Sequence, residues 1–356
     1  MSISVLGAGA GGMAAAARFA ERGHEVTLFN LRPARLEPLL AAGGVVIEGE
    51  DDRSDCLVPL TAITSDPEKA VADADLVLCC VAANGQESVL RAVVPFLPDG
   101  CVLVLAPGSA GSLVAAQILA AAGRDVTNDV LLGEMMSLPQ SARITGDARV
   151  RIRLPTRNRT AAFPANRNEE LYAALEGLVE YIPVPHVLDP GLNNVNFLIH
   201  PGPMLLNYAA VERAGGALSL MNEGMTPGVL RLMDAIDVEK MDVCERLGLE
   251  RRDIDSLYTE LGSGPHIYRS PGEPFGLKDR IWDRYIHEDT PFGTVMIASV
   301  GAQIGVPTPI CDAVNHLLSV LEGVDFRATG RTAEALGLGG LDVEGIRTYL
   351  ETGRRQ

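Results

Sequence analysis

A glycine-rich turn close to the N-terminus sets narrow limits on the fold of this chain. A short β-rich run at residues 3–6 breaks at Gly7-x-Gly9-x-x-Gly12 and continues as an alanine-rich helical pattern. In a strand–turn–helix setting, the first glycine permits the tight turn, the second lets a pyrophosphate approach the backbone, and the third lets helix and strand pack closely. Amides at the helix N-terminus would then face the phosphates. The pattern predicts a dinucleotide-binding fold with Gly7, Gly9 and Gly12 at the cofactor, and a glycine turn without a ligand is the alternative.

The end of the second predicted strand indicates which dinucleotide is bound. A site that prefers NAD usually carries Asp or Glu there, which accepts from the ribose 2′-hydroxyl. Here the predicted strand at residues 26–29 is followed by Asn30, with Arg32 and Arg35 close behind. A neutral amide removes the repulsion of a 2′-phosphate, and arginine offers it a planar fork of donors. We therefore expect these three residues to bind NADP(H) in preference to NAD(H), with ordinary surface charges as the alternative for the arginines.

Strand and helix patterns alternate through the rest of the first half. Residues 76–81 form a continuous apolar run, as in a parallel sheet that is buried on both faces. Asn84 follows in a loop that we expect to pass under the cofactor, since open α/β sheets bind ligands at the carboxyl ends of their strands. Further strands are predicted at residues 45–48, 57–63, 102–105, 130–133 and 181–184, with a strand pair within 142–154 and a loop at 155–168. The first half is predicted to be a doubly wound Rossmann-type parallel sheet.

The second half lacks strand patterns. Thr226 and Pro227 predict the start of a long amphipathic helix that ends near residue 247. Further helices are predicted at residues 253–261, 278–285, 294–304, 310–321 and 343–351. The Pro-rich stretch between the halves is the expected linker. We predict a dinucleotide-binding domain at residues 1–185 and an all-helical substrate and catalytic domain at residues 186–356.

Charge and cysteine usage exclude several classes of protein. The formal net charge of −16 argues against nucleic acid as a partner, because phosphate neutralisation needs clustered Lys and Arg. The six cysteines show no CxxC or metal-type spacing, so we expect free thiols, no metal and a reducing cytoplasm. No stretch reaches the roughly 18 consecutive apolar residues of a membrane-spanning helix. The expected partners are small molecules, with neither nucleic acid nor membrane.

A histidine at a predicted helix break is the leading candidate for chemistry. The helical apolar pattern within residues 193–203 runs into Pro201 and Pro203, and proline in a helix removes a backbone donor and clashes with the preceding turn. His200 stands directly before this break, with Asn196 among the amide side chains upstream. A core histidine beside a kink is the alternative reading. Among the other histidines, His287 is the serious competitor.

Residues 284–293 form a second group of polar side chains before a Pro/Gly break. An aspartate bonded to one nitrogen of a histidine fixes its tautomer and favours its charged form. We expect that Asp289 does this for His200 across the fold. Arg284 would hold a substrate carboxylate through two parallel hydrogen bonds. An exposed helix end with routine charges is the alternative.

These segments together resemble the octopine/opine dehydrogenase family over nearly the full chain. The resemblance rests on the glycine motif, on Glu134 and the nine residues that follow it, and on residues 193–203 and 284–293. It implies an enzyme that joins the amino group of an L-amino acid to a 2-oxo acid, commonly pyruvate, and reduces the resulting imine with NAD(P)H. By this resemblance His200 is the general acid/base, Asp289 its partner and Arg284 a clamp for the amino acid carboxylate. Asn196 and Glu134 are added as candidate substrate-binding residues.

Two departures from the family pattern leave the substrates open. Gln140 stands where the family often has a tyrosine after Leu-Pro, and the loop at residues 84–86 differs from the family pattern.

Two other functions fit the two-domain plan. A ketopantoate-type 2-oxo acid reductase would place a lysine in the helical domain as its acid, and the candidates Lys240 and Lys278 lie near no comparable break. A non-catalytic NADP(H) sensor would bind the cofactor without turnover. A homodimer is the commonest assembly, and the helical domain could supply an apolar face for one.

Overall fold

The computed structural model describes residues 1–49, 54–215, 218–262 and 284–355. The chain divides into two compact units, Met1–Gly191 with Thr348–Gln356, and Leu192–Arg347. The predicted boundary after residue 185 differs from this division, because residues 186–191 and the C-terminal segment pack within the first unit. Tyr349 lies edge-on against Phe163, with ring centroids 5.1 Å apart, and so joins the C-terminal segment to that unit.

An eight-stranded sheet forms the centre of the first unit. Its strands lie in the spatial order Tyr181–Pro183 (β12), Asn158–Phe163 (β11), Val130–Met135 (β8), Cys101–Leu105 (β7), Leu76–Cys79 (β6), Ser2–Leu6 (β1), Glu25–Phe29 (β2) and Ala62–Thr64 (β5). All neighbouring pairs are parallel except β11 with β8. The predicted doubly wound parallel sheet is confirmed, with one antiparallel pairing added.

A second sheet contacts the helix that follows the glycine turn. Its four strands lie in the order Cys56–Pro59 (β4), Gly44–Ile47 (β3), Arg149–Pro155 (β10) and Gln140–Gly146 (β9). The single strand predicted at residues 57–63 is wrong, because the chain leaves this sheet after Pro59 and joins the main sheet as β5.

The loop predicted at residues 155–168 is also wrong, since it contains the buried strand β11. Its polar composition is accommodated inside the unit by a buried ion pair. Arg159 Nε and Nη2 donate to the two carboxylate oxygens of Asp189 at 2.6 and 2.9 Å. A strand with satisfied polar groups can lie in a core.

Helices follow the strands of the first unit. They are Ala10–Glu21 (α1), Glu37–Ala42 (α2), Pro67–Val71 (α3), Ala83–Val93 (α4), Gly111–Ala121 (α5), Asn168–Leu175 (α6) and Leu188–Leu192 (α7). In α1, the buried residues from Met13 to Ala17 are small apart from the methionine, and Phe19 follows them. Because alanine occupies little volume, α1 packs close to the sheet and places its N-terminus directly at the end of β1.

The described part of the second unit is built from helices. They are Asn196–Ile199 (α8), Pro201–Arg213 (α9), Pro227–Arg246 (α10), Ile254–Glu260 (α11), Val295–Ile304 (α12), Pro309–Glu322 (α13) and Phe326–Thr329 (α14). A last helix, Val343–Thr352 (α15), begins in this unit and ends in the C-terminal segment that belongs to the first. Five of the predicted helices are confirmed. They correspond to α10, α11, α12, α13 and α15, and only their ends differ, by a few residues. Most of the helix predicted at residues 278–285 lies outside the described residues. None of the described helices has both the length and the apolar composition needed to cross a membrane.

Candidate active site

The glycine turn after β1 has the geometry that a dinucleotide requires. Gly7 has a φ of +109°, and its amide donates to the Phe29 carbonyl at 2.8 Å, which ties the turn to β2. A Cβ on Gly12 would overlap the Gly7 carbonyl oxygen, so only glycine lets α1 pack this closely. A Cβ on Gly9 would meet no atom within 4 Å, so the space before α1 is open. Dinucleotide-binding folds place the pyrophosphate in such a space at a helix N-terminus, and the role of these glycines at the cofactor stays a prediction.

One further contact at this turn was not indicated by the sequence. A Cβ on Gly11 would overlap the Leu138 side chain, which packs directly against the first turn of α1. Leu138 lies between β8 and β9, two residues before Gln140. The segment after Glu134 therefore borders the glycine turn.

The side chains expected to select the cofactor follow β2. Asn30 is half-buried, and its Oδ1 accepts the Arg32 amide at 2.9 Å, just before a short 3₁₀ helix at Pro33–Arg35. Arg32 and Arg35 are both exposed, and neither forms an ion pair with a residue in the described part of the chain. The structure thus places two solvated guanidinium groups just after this strand.

Asn84 lies in a helix rather than in the predicted loop. The helix α4 begins at Ala83, and Asn84 is exposed in its first turn. Gln86 is buried instead, and its Nε2 donates to the carbonyls of Pro107 at 2.7 Å and Val81 at 3.3 Å. Gln86 therefore joins the segments that follow β6 and β7. The cofactor-binding role of Asn84 stays a prediction.

Glu134 lies fully buried at the end of β8. Its carboxylate accepts from the backbone amides of Ala110 at 2.5 Å and Ser112 at 3.1 Å, at the N-terminus of α5. Ser109 and Ala110 have positive φ values of 55° and 60° in the turn that presents these amides. A negative charge at a helix N-terminus is stabilising. These contacts hold the carboxylate at the start of α5, and its predicted substrate-binding role stays a prediction.

His200 lies at the junction of two helices. The helix α8 ends at Ile199 and α9 begins at Pro201, so the proline occupies a first helical position, where its missing amide needs no partner. The His200 amide donates to the Asn196 carbonyl at 3.1 Å, and the His200 carbonyl accepts from Met204 at 2.8 Å. The predicted break at His200 is confirmed, and the chain resumes at once as a helix.

His200 and Asp289 form a buried pair. Nδ1 of His200 lies 2.7 Å from Oδ2 of Asp289, within hydrogen-bond distance. The side chains are only 4% and 3% exposed. Because the contact occupies Nδ1, Nε2 is the ring nitrogen that can exchange a proton with another molecule. The predicted contact between these two side chains is confirmed, and their catalytic roles stay predictions.

Burial and nearby charge shift the proton affinities of this pair. Desolvation lowers the pKa of His200 well below its usual value, the Arg284 charge lowers it further, and Glu288 opposes the shift. Desolvation raises the pKa of Asp289 to about 7, against the effect of Arg284. Arg284 is itself exposed, and its influence on both groups means that its charge lies near the pair. Burial therefore favours the neutral form of both groups, and the expectation that Asp289 favours the charged form of His200 is not met.

The predicted substrate-binding residues of the second unit lie around this pair. Arg284 acts on it through its charge. Asn196 is half-buried one helical turn before His200, and its backbone amide donates to Asn194 Oδ1 at 3.1 Å. Their predicted roles as substrate-binding residues stay predictions.

Two packing contacts at the pair had no signal in the sequence. The Tyr285 ring is stacked on the His200 ring, with centroids 3.5 Å apart and planes 12° apart. A Cβ on Gly293 would overlap the Phe197 ring, so this glycine lets residues 284–293 approach residues 193–203. The Pro/Gly break that was predicted there is a π-helical turn at Thr290–Thr294, which runs on into α12.

His287, the competing histidine, is bonded elsewhere. Its Nε2 lies 3.0 Å from Glu322 Oε2, and its ring is edge-on to Phe326 at 5.5 Å. Glu322 also accepts the Tyr208 hydroxyl at 2.9 Å. The structure pairs His200, and not His287, with Asp289.

Comparisons with known proteins match both halves of the chain. Residues 183–321 match a family model described as NAD/NADP octopine/nopaline dehydrogenase, alpha-helical domain. Residues 3–106 match the ketopantoate reductase PanE/ApbA model. An opine dehydrogenase from Arthrobacter sp. (strain 1C) is 32% identical over 98% of this chain and 98% of its own.

Solved structures share the fold. An octopine dehydrogenase structure with NADH and pyruvate is 19% identical, covers 100% of this chain and 99% of its own, and has a TM-score of 0.74. Yersinopine dehydrogenase with NADP⁺ bound is 14% identical, covers 98% of this chain and 97% of its own, and has a TM-score of 0.70.

Proposed function

The chain belongs to the opine dehydrogenase family and is an NAD(P)-dependent oxidoreductase that acts on CH–NH bonds, and on this premise we propose that His200 and Asp289 carry its acid–base step. The observation behind the proposal is the buried 2.7 Å contact between His200 Nδ1 and Asp289 Oδ2. The family reaction is the reductive condensation of an amino acid with a 2-oxo acid. Its steps include proton transfers, which a positioned histidine accelerates.

Condensation requires two protons to move from nitrogen to oxygen. The amine attacks the carbonyl carbon of the 2-oxo acid, and His200 Nε2 takes one proton from the nitrogen and gives it to the oxygen, which becomes a hydroxyl. His200 Nε2 then takes the second proton of the nitrogen and gives it to this hydroxyl, which leaves as water while the C–N double bond of the imine forms. A nicotinamide cofactor, when bound, supplies the hydride for the imine carbon.

Asp289 orients the histidine during this cycle. Above about pH 7 the Asp289 carboxyl is ionised. By accepting from Nδ1 it then fixes the tautomer with an unprotonated Nε2, and it stabilises the imidazolium that forms in passing. Because burial lowers the pKa of His200, the ring holds the extra proton weakly and returns it readily to the leaving hydroxyl.

Arg284 is proposed to hold a substrate carboxylate. Its exposed guanidinium lies near the pair, and arginine binds a carboxylate through two parallel hydrogen bonds. Asn196, half-buried one turn before His200, is proposed to donate its side-chain amide to the same substrate. Both substrates of this reaction class carry carboxylates, so a cation near the acid–base pair would orient them.

NADP(H) is proposed as the preferred cofactor. The related structures hold NADH in one case and NADP⁺ in another, so the choice is made by residues of each chain. Here Asn30 replaces an acid, and the exposed Arg32 and Arg35 are available to a 2′-phosphate. The role of Asn84 beside the cofactor is part of the same proposal.

A small 2-oxo acid such as pyruvate and an L-amino acid are the proposed substrates. Octopine dehydrogenase structures carry pyruvate in one case and L-arginine in another. A cytoplasmic location is proposed on the six free cysteines, which a reducing compartment maintains. Assembly as a homodimer stays a prediction.

The ketopantoate-type alternative is less well supported by the second unit. Lys240 is fully buried, its Nζ lies 2.8 Å from Asp237 Oδ1, and it donates to the Arg252 carbonyl at 2.6 Å. An ammonium that is fully buried and held in this way is not accessible to a substrate. Lys278, the other candidate, lies outside the described residues.

The proposed function is tested by following NADPH oxidation by its absorbance. The protein is supplied with pyruvate alone, with a panel of L-amino acids alone, and with both together. Oxidation only with both, and a product of the mass expected for the reduced condensate, supports reductive condensation. Oxidation with the oxo acid alone would favour the simple reductase, and NADPH binding without any turnover would favour the sensor.

A further inference from the structure

We propose that Tyr285 is a positioning residue for the acid–base step, and that its ring holds the His200 imidazole in the plane that Asp289 requires. The inference rests on the proposed function, in which His200 moves the proton.

The stacked geometry restrains a motion that the hydrogen bond leaves free. With centroids 3.5 Å apart and planes 12° apart, the rings of Tyr285 and His200 are in contact over their faces. The contact at Nδ1 fixes one corner of the imidazole but lets the ring tilt about the line to Asp289. Tilting would drive the ring edge into the phenol ring, so the stack also fixes the direction in which Nε2 points.

One segment of the chain supplies both restraints. Tyr285 and Asp289 lie four positions apart, and Tyr285 is only 5% exposed. Asp289 meets the edge of the imidazole at 2.7 Å, while Tyr285 covers a face. Arg284, adjacent to Tyr285 in sequence, brings a positive charge that acts on both His200 and Asp289. A group held on two sides by packing keeps a productive orientation better than one held by a single bond.

The stack also has an electrostatic consequence. Among the described residues, the charged groups that act on His200 are Asp289, Arg284 and Glu288, and burial is the largest cause of its lowered pKa. The Tyr285 ring keeps water from one face of the imidazole. Without it, water reaches the ring, and the pKa of His200 should rise toward its usual value of 6.5.

Two substitutions distinguish the contribution of the Tyr285 ring from that of its hydroxyl. Tyr285→Phe keeps the stacked face, so kcat should stay within about twofold of the wild type. Tyr285→Leu removes the face, and kcat should fall about tenfold to a hundredfold, as small misplacements of catalytic groups do. The affinity for NADPH should not change, and the acidic limb of the kcat–pH profile should move to higher pH. Tyr285→Met replaces the leucine variant if that variant does not fold.

Tyr349→Leu is the matched control. Tyr349 is 7% exposed and packs edge-on against Phe163 at 63° in the first unit. Tyr349→Leu should therefore lower Tm by about as much as Tyr285→Leu does, without moving the kcat–pH profile.

Three outcomes would overturn the inference. Tyr285→Leu could keep the kcat and pH profile of the wild type, Tyr285→Phe could lose as much activity as Tyr285→Leu, or Tyr349→Leu could move the profile equally. Failure of the proposed function gives a different result. If His200 does not move the proton, His200→Gln keeps its activity, whichever residue stands at position 285.

Discussion

His200 Nδ1 lies 2.7 Å from Asp289 Oδ2, although 89 positions separate the two residues in the chain. Two interruptions of helices produce this contact. His200 lies between α8 and α9, where Pro201 starts a new helix, and Asp289 directly precedes the π-helical turn at Thr290–Thr294. At such junctions a side chain is not confined to the face of a continuous helix, so two of them can meet inside the second unit.

Asp289→Asn should lower kcat by about 10²- to 10⁴-fold, because an amide neither fixes the histidine tautomer nor stabilises an imidazolium. Steady-state kinetics with both substrates measure the loss, and titration of NADPH fluorescence should show unchanged cofactor affinity. The exposed Asp312 provides the control, since Asp312→Asn removes a carboxylate from the surface of the same unit. Equal kcat values for the two variants would contradict a role for Asp289.

The double variant Arg32→Ala/Arg35→Ala should lose selectivity for NADPH. Removing charge-assisted contacts to a 2′-phosphate should raise the KM for NADPH by about tenfold to a hundredfold and leave that for NADH within about twofold. Arg91→Ala, which removes an exposed arginine of α4 paired with Glu87, is the control. A parallel change for both cofactors would show that these arginines do not contact the phosphate.

Gly9→Ala and Gly12→Ala should fail in different ways. A Cβ at Gly9 meets no atom within 4 Å and its φ is −89°, so the variant should keep the wild-type Tm but bind NADPH at least about tenfold more weakly. A Cβ at Gly12 overlaps the Gly7 carbonyl oxygen, so this variant should lose Tm as well.

Gly228→Ala controls for the loss of a glycine, because its Cβ would meet only ordinary contacts, the nearest at 3.8 Å. Thermal unfolding and NADPH titration separate the two failures. If Gly9→Ala bound NADPH normally, the pyrophosphate would not lie against this turn.

Asp289 should make stability depend on pH. Burial raises its pKa from 3.8 to about 7, so the folded protein keeps the proton over a range in which the unfolded chain has lost it. The resulting stabilisation is complete below about pH 4 and is lost as the pH rises through about 7. Asp289→Asn cannot ionise, so the Tm of the wild type minus that of the variant should decrease from pH 5 to pH 8. A difference in Tm that is constant over this range would contradict a buried carboxyl with a raised pKa.

Much of the first unit could be predicted from the sequence because its signals are local. The spacing of Gly7, Gly9 and Gly12 requires a particular turn, and the apolar run in β6 requires a buried strand. The pairing of His200 with Asp289 could also be predicted, since each stands beside a proline or glycine break and their chemistry is complementary.

Other features depend on partners that are distant in sequence. The strand β11 looks like a loop because Arg159 is charged, and the Asp189 that neutralises it stands 30 positions later. Residues 57–63 look like one strand, and only the pairing partners β3 and β2 show that they belong to two sheets. The stacking of Tyr285 on His200 has no periodicity to reveal it, because it joins two irregular segments.

The most direct test of the central claim is the rate of NADPH oxidation by His200→Gln with saturating pyruvate and amino acid, beside its affinity for NADPH. Glutamine keeps a polar side chain of similar size but cannot move a proton near neutral pH. If His200 is the acid–base group, kcat should fall by about 10²- to 10⁴-fold while the Kd for NADPH stays within about twofold. A variant with nearly wild-type kcat would contradict the account.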